Sequence, residues 1–323
     1  MSNRNPMHWP RACALWTLCV SIWSCAPSEP PAFDGNLAYS HVLTQVAFGP
    51  RIPGTEGHRR CADWLAAELG RHTPSVRRQS FYHVVGDSAA QTLDTMHLSN
   101  LIASFNPELT RRLTVCAHWD SRPWADEDPD SANHSQPVPG ANDGASGVAV
   151  CLELARLLGA APPPLGVDIL LFDAEDQGPR GNVDEYLIGS RWFASQARGY
   201  RPVALVLLDM VGDAQLNITR EAYSDSLAPG LNDLIWRLAD SLALTGFVDS
   251  VGHHVIDDHL PFLLNGIPAV DLIDFDYAPW HTVADTPDKV APGSLAAVGR
   301  LLTTLIYHTP VEVLEQAARK RTR

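Results

Sequence analysis

Two imidazoles and four carboxylates stand close to the points where apolar runs of this chain stop, and together they define the chemistry open to it. The run from Thr114 ends abruptly in His118-Trp119-Asp120. A buried strand delivers polar side chains to its carboxyl end in this way, which is where open α/β sheets place their sites. Asp143 lies among small residues directly before a helical run over 145–158, in the positive field of a helix N-terminus. Taken alone it would read as an ordinary N-cap. Later strand ends repeat the pattern. The apolar run 167–172 leads into Asp173-Ala174-Glu175-Asp176, the run 203–208 ends in Asp209, and the run 269–273 is followed by a loop carrying Trp280-His281-Thr282. So many carboxylates on one sheet edge are a costly accumulation of negative charge unless a cation neutralises it. Oxygen and imidazole ligands without thiolate fit a zinc-type catalytic site with an open coordination position.

The elements that must position these residues follow from periodicity. Helices are expected over 37–48, from a Thr55 cap through Cys61, Trp64, Leu65 and Leu69, and over 145–158, 188–197, 229–244, 260–264 and 294–307. Strands are expected at 76–85, 101–105, 114–118, 167–172, 203–208, 215–219 and 269–273, the first two towards the sheet edge. Strand and helix alternate without an internal repeat or a second linker. The expected fold is therefore α/β: a single domain with a mixed, largely parallel central sheet covered by helices on both faces. Its 323 residues and 45% hydrophobic content suffice for a packed core, and 19% charged residues is too low for a disordered chain. A formal charge of −13 argues against nucleic acid as a partner, since phosphate binding needs a basic face.

Arg4 and Arg11 precede an apolar run at 12–23, too short to span a bilayer, so residues 1–25 read as an export signal. Cleavage before Cys25 would make a lipoprotein and offer a membrane tether; cleavage after Ala26 would leave Pro27 first, a poor substrate for signal peptidases. The sequence favours the lipoprotein signal, and either way the mature domain is expected outside the cytoplasm, in the periplasm or anchored to a bacterial membrane. Residues 26–36 form a Pro-rich linker, 37–310 the domain, and 311–323 a charged tail whose basic end at 319–323 is expected to be mobile. Three cysteines remain outside the signal, Cys61, Cys116 and Cys151, expected as buried free thiols.

His118-x-Asp120, the segment 140–147 with Asp143, Glu175-Asp176, Asp209 and His281 stand in the order of the zinc aminopeptidase family, and the resemblance runs from about residue 37 to 307. That fold includes glutaminyl-peptide cyclotransferases of the animal type and their bacterial counterparts. Three segments resemble the cyclotransferases: His118-Trp119-Asp120-Ser121-Arg122-Pro123-Trp124 with its acidic follow-on 126–130, Asp257-Asp258-His259-Leu260-Pro261-Phe262, and Trp280 directly before His281. The resemblance implies one zinc held by Asp143, Asp176 and His281, Glu175 as the proton-transfer residue, Asp209 and Asp257 hydrogen-bonding near it, and Trp280 walling the substrate pocket. It further implies peptides or proteins with N-terminal glutamine as substrates, converted to pyroglutamate with release of ammonia, by an enzyme expected to act as a monomer. Departures are visible: a second pocket tryptophan is absent from 177–184, leaving Tyr186 or Trp192 as substitutes, Ala117 and Val148 stand near the positions of an animal disulfide, and Asp176 replaces a glutamate.

A rival enzyme uses nearly the same atoms. If His118 and Asp209 also bind metal, Asp143 can bridge two zinc ions and Glu175 can activate water for aminopeptidase hydrolysis. A catalytically silent binding module on this fold is the third possibility, and it should lack the base or some ligands. Several residues also have plainer roles open to them. Asp257 and Asp258 could cap the helix at Leu260, Trp280 could be packing, and His134, His253 and His254 could lie on exposed loops. Residues 126–130 could be a solvated loop or rim the pocket, and Arg180 with Glu185 a surface ion pair.

Overall fold

The computed structural model describes residues 1–2, 32–87, 92–197 and 199–320. Nearly all of the expected signal, with Cys25, and most of the linker fall outside the described residues. Helix α1 (Gly35–Ala47) is capped by Asp34, whose carboxylate accepts from the Asn36 and Leu37 amides, and α2 (Glu56–Gly70) is capped by Thr55 as expected. Cys61, Leu65 and Leu69 of α2 are buried, and Trp64 packs partly buried on Phe48.

Strands β1 (Val76–Asp87) and β2 (Thr92–Phe105) pair antiparallel at the sheet edge. Then follow β3 (Arg112–His118), α3 (Ala145–Ala160), β4 (Gly166–Phe172), α4 (Ile188–Gln196), β5 (Ala204–Asp209) and β6 (Ile218–Arg220). The chain continues through α5 (Ala222–Leu227), α6 (Pro229–Ser241), β7 (Phe247–Val251), α7 (Leu260–Leu264), β8 (Ala269–Ile273), α8 (Pro292–Thr303) and α9 (Val311–Arg319). The main sheet runs β1-β2-β4-β3-β5-β8, antiparallel across β1-β2-β4 and parallel across β4-β3-β5-β8. A mixed sheet with a parallel centre is what the alternating pattern implied.

The four parallel strands are buried almost throughout, which requires cover on both faces. On one face α3 packs so closely that a Cβ on Gly147 would lie 2.2 Å from the Leu208 carbonyl. On the other, Phe172 at the end of β4 meets Phe193 of α4 and Phe262 of α7. Cys61, Cys116 and Cys151 are free, buried thiols.

Four elements depart from expectation. The strand expected at 215–219 forms as β6 over Ile218–Arg220, but its parallel partner β7 and helix α5 were not foreseen; β7 is largely exposed and carries no apolar alternation. The closing helix ends at Thr303 and continues as a π turn over Thr304–His308. The charged stretch beyond it carries α9, which buries Leu314 and Ala317 and packs on α6. Among the described residues, no helix is long and apolar enough to cross a membrane.

Candidate metal centre

The carboxyl ends of β3, β4 and β5, the start of α3 and the loop beyond β8 bring polar side chains together. Asp143, Asp176 and His281 offer ligand atoms all within 4.8 Å of one another, and so do His118, Asp143 and Asp209. Nε2 of His281 lies 3.2 Å from Oδ2 of Asp176 and 3.6 Å from Oδ2 of Asp143. Nε2 of His118 lies 3.1 Å from Oδ1 of Asp143 and 3.2 Å from Oδ1 of Asp209. Burial opposes protonation of His118, but the surrounding Asp120, Asp143 and Asp209 raise its pKa well above the usual range.

The backbone is bent hard to achieve this convergence. Ala174 (φ 57°), Met210 (φ 47°) and His281 (φ 54°) all adopt the left-handed region beside a site residue or at one. Each costs roughly 1–2 kcal/mol for a residue with a side chain, so surrounding contacts must enforce them. Gly144 (φ +84°) starts α3, and a Cβ there would lie 2.6 Å from the Asp120 carbonyl and 3.1 Å from the His118 ring.

Those enforcing contacts come largely from residues the sequence did not single out for that role. The buried Asp120 carboxylate accepts from the Glu175 amide (3.0 Å), the Asp176 amide (3.2 Å) and Gln177 Nε2 (2.9 Å), clamping the turn that carries the acid pair. Asp285 accepts from the Asn142 and Asp143 amides (2.8 and 3.2 Å) and from the Tyr277 hydroxyl, fixing the Asp143 loop. Arg51, fully buried, donates to the Trp119, Pro139 and Gly140 carbonyls. Arg122 donates from Nη1 to Oδ1 of Asp176 (2.7 Å) and from Nε and Nη2 to the two oxygens of Asp126 (2.6 Å each). Apart from the Arg122–Asp126 pair, four positions apart, little local pattern marks such residues, because most of their partners are backbone groups or acids far along the chain.

Glu175 follows the strained Ala174 and is half-buried. Burial, then the adjacent Asp176 charge, raises its carboxyl well above the usual glutamate range. Asp257 is buried, and burial followed by the Asp209 charge brings its pKa to about 7. The capping role open to Asp257 and Asp258 is not realised: α7 has His259 at its N-cap and no side-chain cap bond. Trp280 stacks on the His281 ring with centroids 3.9 Å apart and leans on Phe275 at 5.1 Å.

Of the two candidates for a second aromatic wall, Tyr186 flanks the site, packed against the Arg122 guanidinium that holds Asp176, whereas Trp192 stacks on Phe81 of β1. The loop 126–130 is built onto the His281 loop rather than simply solvated: Oδ1 of Asp126 is 3.8 Å from Nδ1 of His281, and Asp128 accepts from the Val283 amide. Arg180 and Glu185 do not pair with each other. Arg180 meets Glu127 and Glu185 meets His83. His253 and His254 are exposed, and His134 bonds the Asp128 carbonyl.

The donor set suits zinc. Oδ2 of Asp176 is buried without a hydrogen-bond partner, and the 3.2 and 3.6 Å from His281 to the two aspartates match neighbours on one ion with bonds of about 2.1 Å.

Comparison with known proteins agrees with this geometry. The profile of peptidase family M28 matches residues 100–306. The chain is similar to the glutaminyl cyclase of Bacteroides thetaiotaomicron, solved with N-acetylhistamine, at 36% identity and a TM-score of 0.80, covering 87% of this chain and 100% of that one. It is similar to a Zn-dependent exopeptidase of Parabacteroides distasonis at 35% identity and a TM-score of 0.81, covering 86% and 99%. The glutaminyl-peptide cyclotransferase-like protein of Mus musculus is 26% identical over 285 residues, 79% of this chain and 71% of that protein. The chain spans 64–65% of the length of the Bothrops jararaca and Bos taurus glutaminyl-peptide cyclotransferases. The matched span takes in the ends of β3, β4, β5 and β8 and every residue of the two ligand groups, and the chain belongs to peptidase family M28.

Proposed function

We propose that this protein is a zinc-dependent glutaminyl-peptide cyclotransferase, turning the N-terminal glutamine of peptides or proteins into pyroglutamate and ammonia. The observation that carries the reading is Glu175, a carboxyl beside Asp176 whose pKa is raised well above the usual glutamate range, in a chain similar over 87% of its length to a solved glutaminyl cyclase. Asp143, Asp176 and His281 would hold one zinc ion, which supplies polarisation of the γ-carbonyl and charge stabilisation for its oxygen.

Glu175 accepts a proton as the substrate α-amine attacks its own γ-carboxamide carbon. It returns that proton to the amide nitrogen as the carbon–nitrogen bond breaks and ammonia leaves. The nitrogen–carbon bond formed closes the lactam, and no water is consumed. A carboxyl with a raised pKa is matched to both halves of that transfer, a role worth roughly 10²–10⁴-fold. Asp209 and Asp257 would hydrogen-bond near Glu175 during turnover and keep its proton in play: after burial and the Asp176 charge, the Asp257 charge raises the Glu175 carboxyl, and after burial the Asp209 charge raises Asp257. Trp280, stacked on His281, walls the substrate side chain, folds it over its own amine and keeps water from competing. The protein acts as a monomer after export, in the periplasm or tethered through Cys25.

The rival reading, a two-zinc aminopeptidase, is favoured by one observation: His118, Asp143 and Asp209 also group within ligand distance. Incubating purified protein with a glutamine-initiated dipeptide separates the two. Ammonia release with loss of the primary amine is expected. Free glutamine without ammonia would overturn the cyclotransferase reading in favour of the peptidase.

A further inference from the structure

A third group of metal-ligating side chains lies outside the centre described above. Asp257, His259 and Asp271 are all buried, and their ligand atoms fall within 4.8 Å of one another. We propose that these three residues bind a further divalent cation of the zinc or manganese class.

The argument begins with His259. Its Nε2 lies 3.0 Å from Oε2 of Glu221. That carboxylate also accepts from the Tyr223, Ser224 and Val255 amides and from the Ser224 hydroxyl. Burial works against the anion, yet these donors with His259 bring Glu221 down to about 2. Because Glu221 acts as the acceptor, Nε2 of His259 is the donor in their contact, and Nδ1 is the ring position turned towards Asp271.

Nδ1 is fully buried, has no hydrogen-bond partner, and faces Oδ2 of Asp271 at 3.7 Å. That is too long for a hydrogen bond. It is close to the 3.6 Å that separates His281 from Asp143 in the first centre. Both oxygens of Asp271 and Oδ2 of Asp257 are likewise buried without a donor. Asp271 sits in the middle of the apolar strand β8, where an isolated carboxylate is expensive unless a proton or a cation balances it. The donor set, two aspartates and one histidine, repeats that of Asp143, Asp176 and His281. The Glu221–His259 bond supplies the carboxylate–histidine support that metal-bound imidazoles characteristically have.

The competing occupant is a proton shared between Asp257 and Asp271, and metal detection separates the two without recourse to enzyme activity. Protein stripped with chelator, reloaded with zinc or manganese and desalted is crystallised, and anomalous maps are collected at the edge of each metal. A peak among Asp257, His259 and Asp271, besides one at Asp143, Asp176 and His281, is expected with at least one of the metals. Metal per chain should fall by one in His259→Gln and in Asp271→Asn, while Asp143→Asn keeps the Asp257 peak. Maps of the wild-type protein lacking that peak with both metals would overturn the proposal, whether or not the variants fold. Unchanged metal content in His259→Gln would also overturn it, since the count would then belong to His118 and Asp209. Because the readout is metal, the result is independent of whether glutamine is cyclised or hydrolysed.

Discussion

Replacing Glu175 by glutamine should separate proton transfer from metal binding. The substitution preserves side-chain shape, and the residue's amide remains held by Oδ1 of Asp120 at 3.0 Å. Asp143, Asp176 and His281 form a ligand group without Glu175, so zinc content should stay at the wild-type value. Removing a positioned general acid–base costs about 10²–10⁴-fold, or roughly 3–5 kcal/mol of transition-state stabilisation at about 1.4 kcal/mol per decade. The loss should fall on kcat with KM little changed, because the pocket around Trp280 and His281 is untouched. The pH dependence adds a second readout. Burial and the Asp176 charge raise the Glu175 pKa, and the base works as the carboxylate. Wild-type kcat/KM should therefore rise with pH through a limb lying above the ordinary glutamate range, and the variant should lack that limb. Ammonia release from a glutamine-initiated dipeptide, followed across the neutral pH range with zinc per chain measured in parallel, tests both. A variant that keeps zinc and more than about a tenth of wild-type kcat would refute the assigned role.

Gly144→Ala should destabilise the fold by about 2–5 kcal/mol, from left-handed backbone and overpacking together, because its Cβ would lie 2.6 Å from the Asp120 carbonyl; an unchanged urea midpoint would contradict the geometry at the start of α3. Leu314→Ala should cost roughly 2–5 kcal/mol, since Leu314 is 1% exposed between α9 and the body of the domain. Zinc content of that variant should be unaffected, and a stability change within experimental error would make α9 dispensable to the fold.

The candidate site residues were legible because a parallel strand advertises itself twice: as a continuous apolar run, and by the charge that ends the run. Asp176 and Asp209 needed no more than that, and Asp143 stood out by its place before a helical run. Trp280-His281 was harder, since His281 lies eight positions beyond the end of β8 at Ile273 and was found through order along the chain. Helix α9 was passed over because only Leu314 and Ala317 mark its buried face among charged neighbours. Asp120, Asp285, Arg51 and Arg122 could not be assigned their roles for a different reason. Each earns its place through partners brought close only by the completed sheet, such as Asp285 reaching across to the Asn142 and Asp143 amides.

These brace residues explain how so many carboxylates can share one sheet edge. Their donors approach from outside, as Arg122 reaches Oδ1 of Asp176 while Oδ2 is left without a partner. Backbone amides satisfy Asp120 and Asp285, and the Arg51 charge is spent on carbonyls rather than on the ligands. The framework thus holds the acids in place without neutralising the oxygens that face inward. Protein side chains leave that inner charge only partly balanced, and a bound cation is the natural complement. The same accounting at Asp271, where no donor reaches either oxygen, is what singles out Asp257, His259 and Asp271 as a place to look for another.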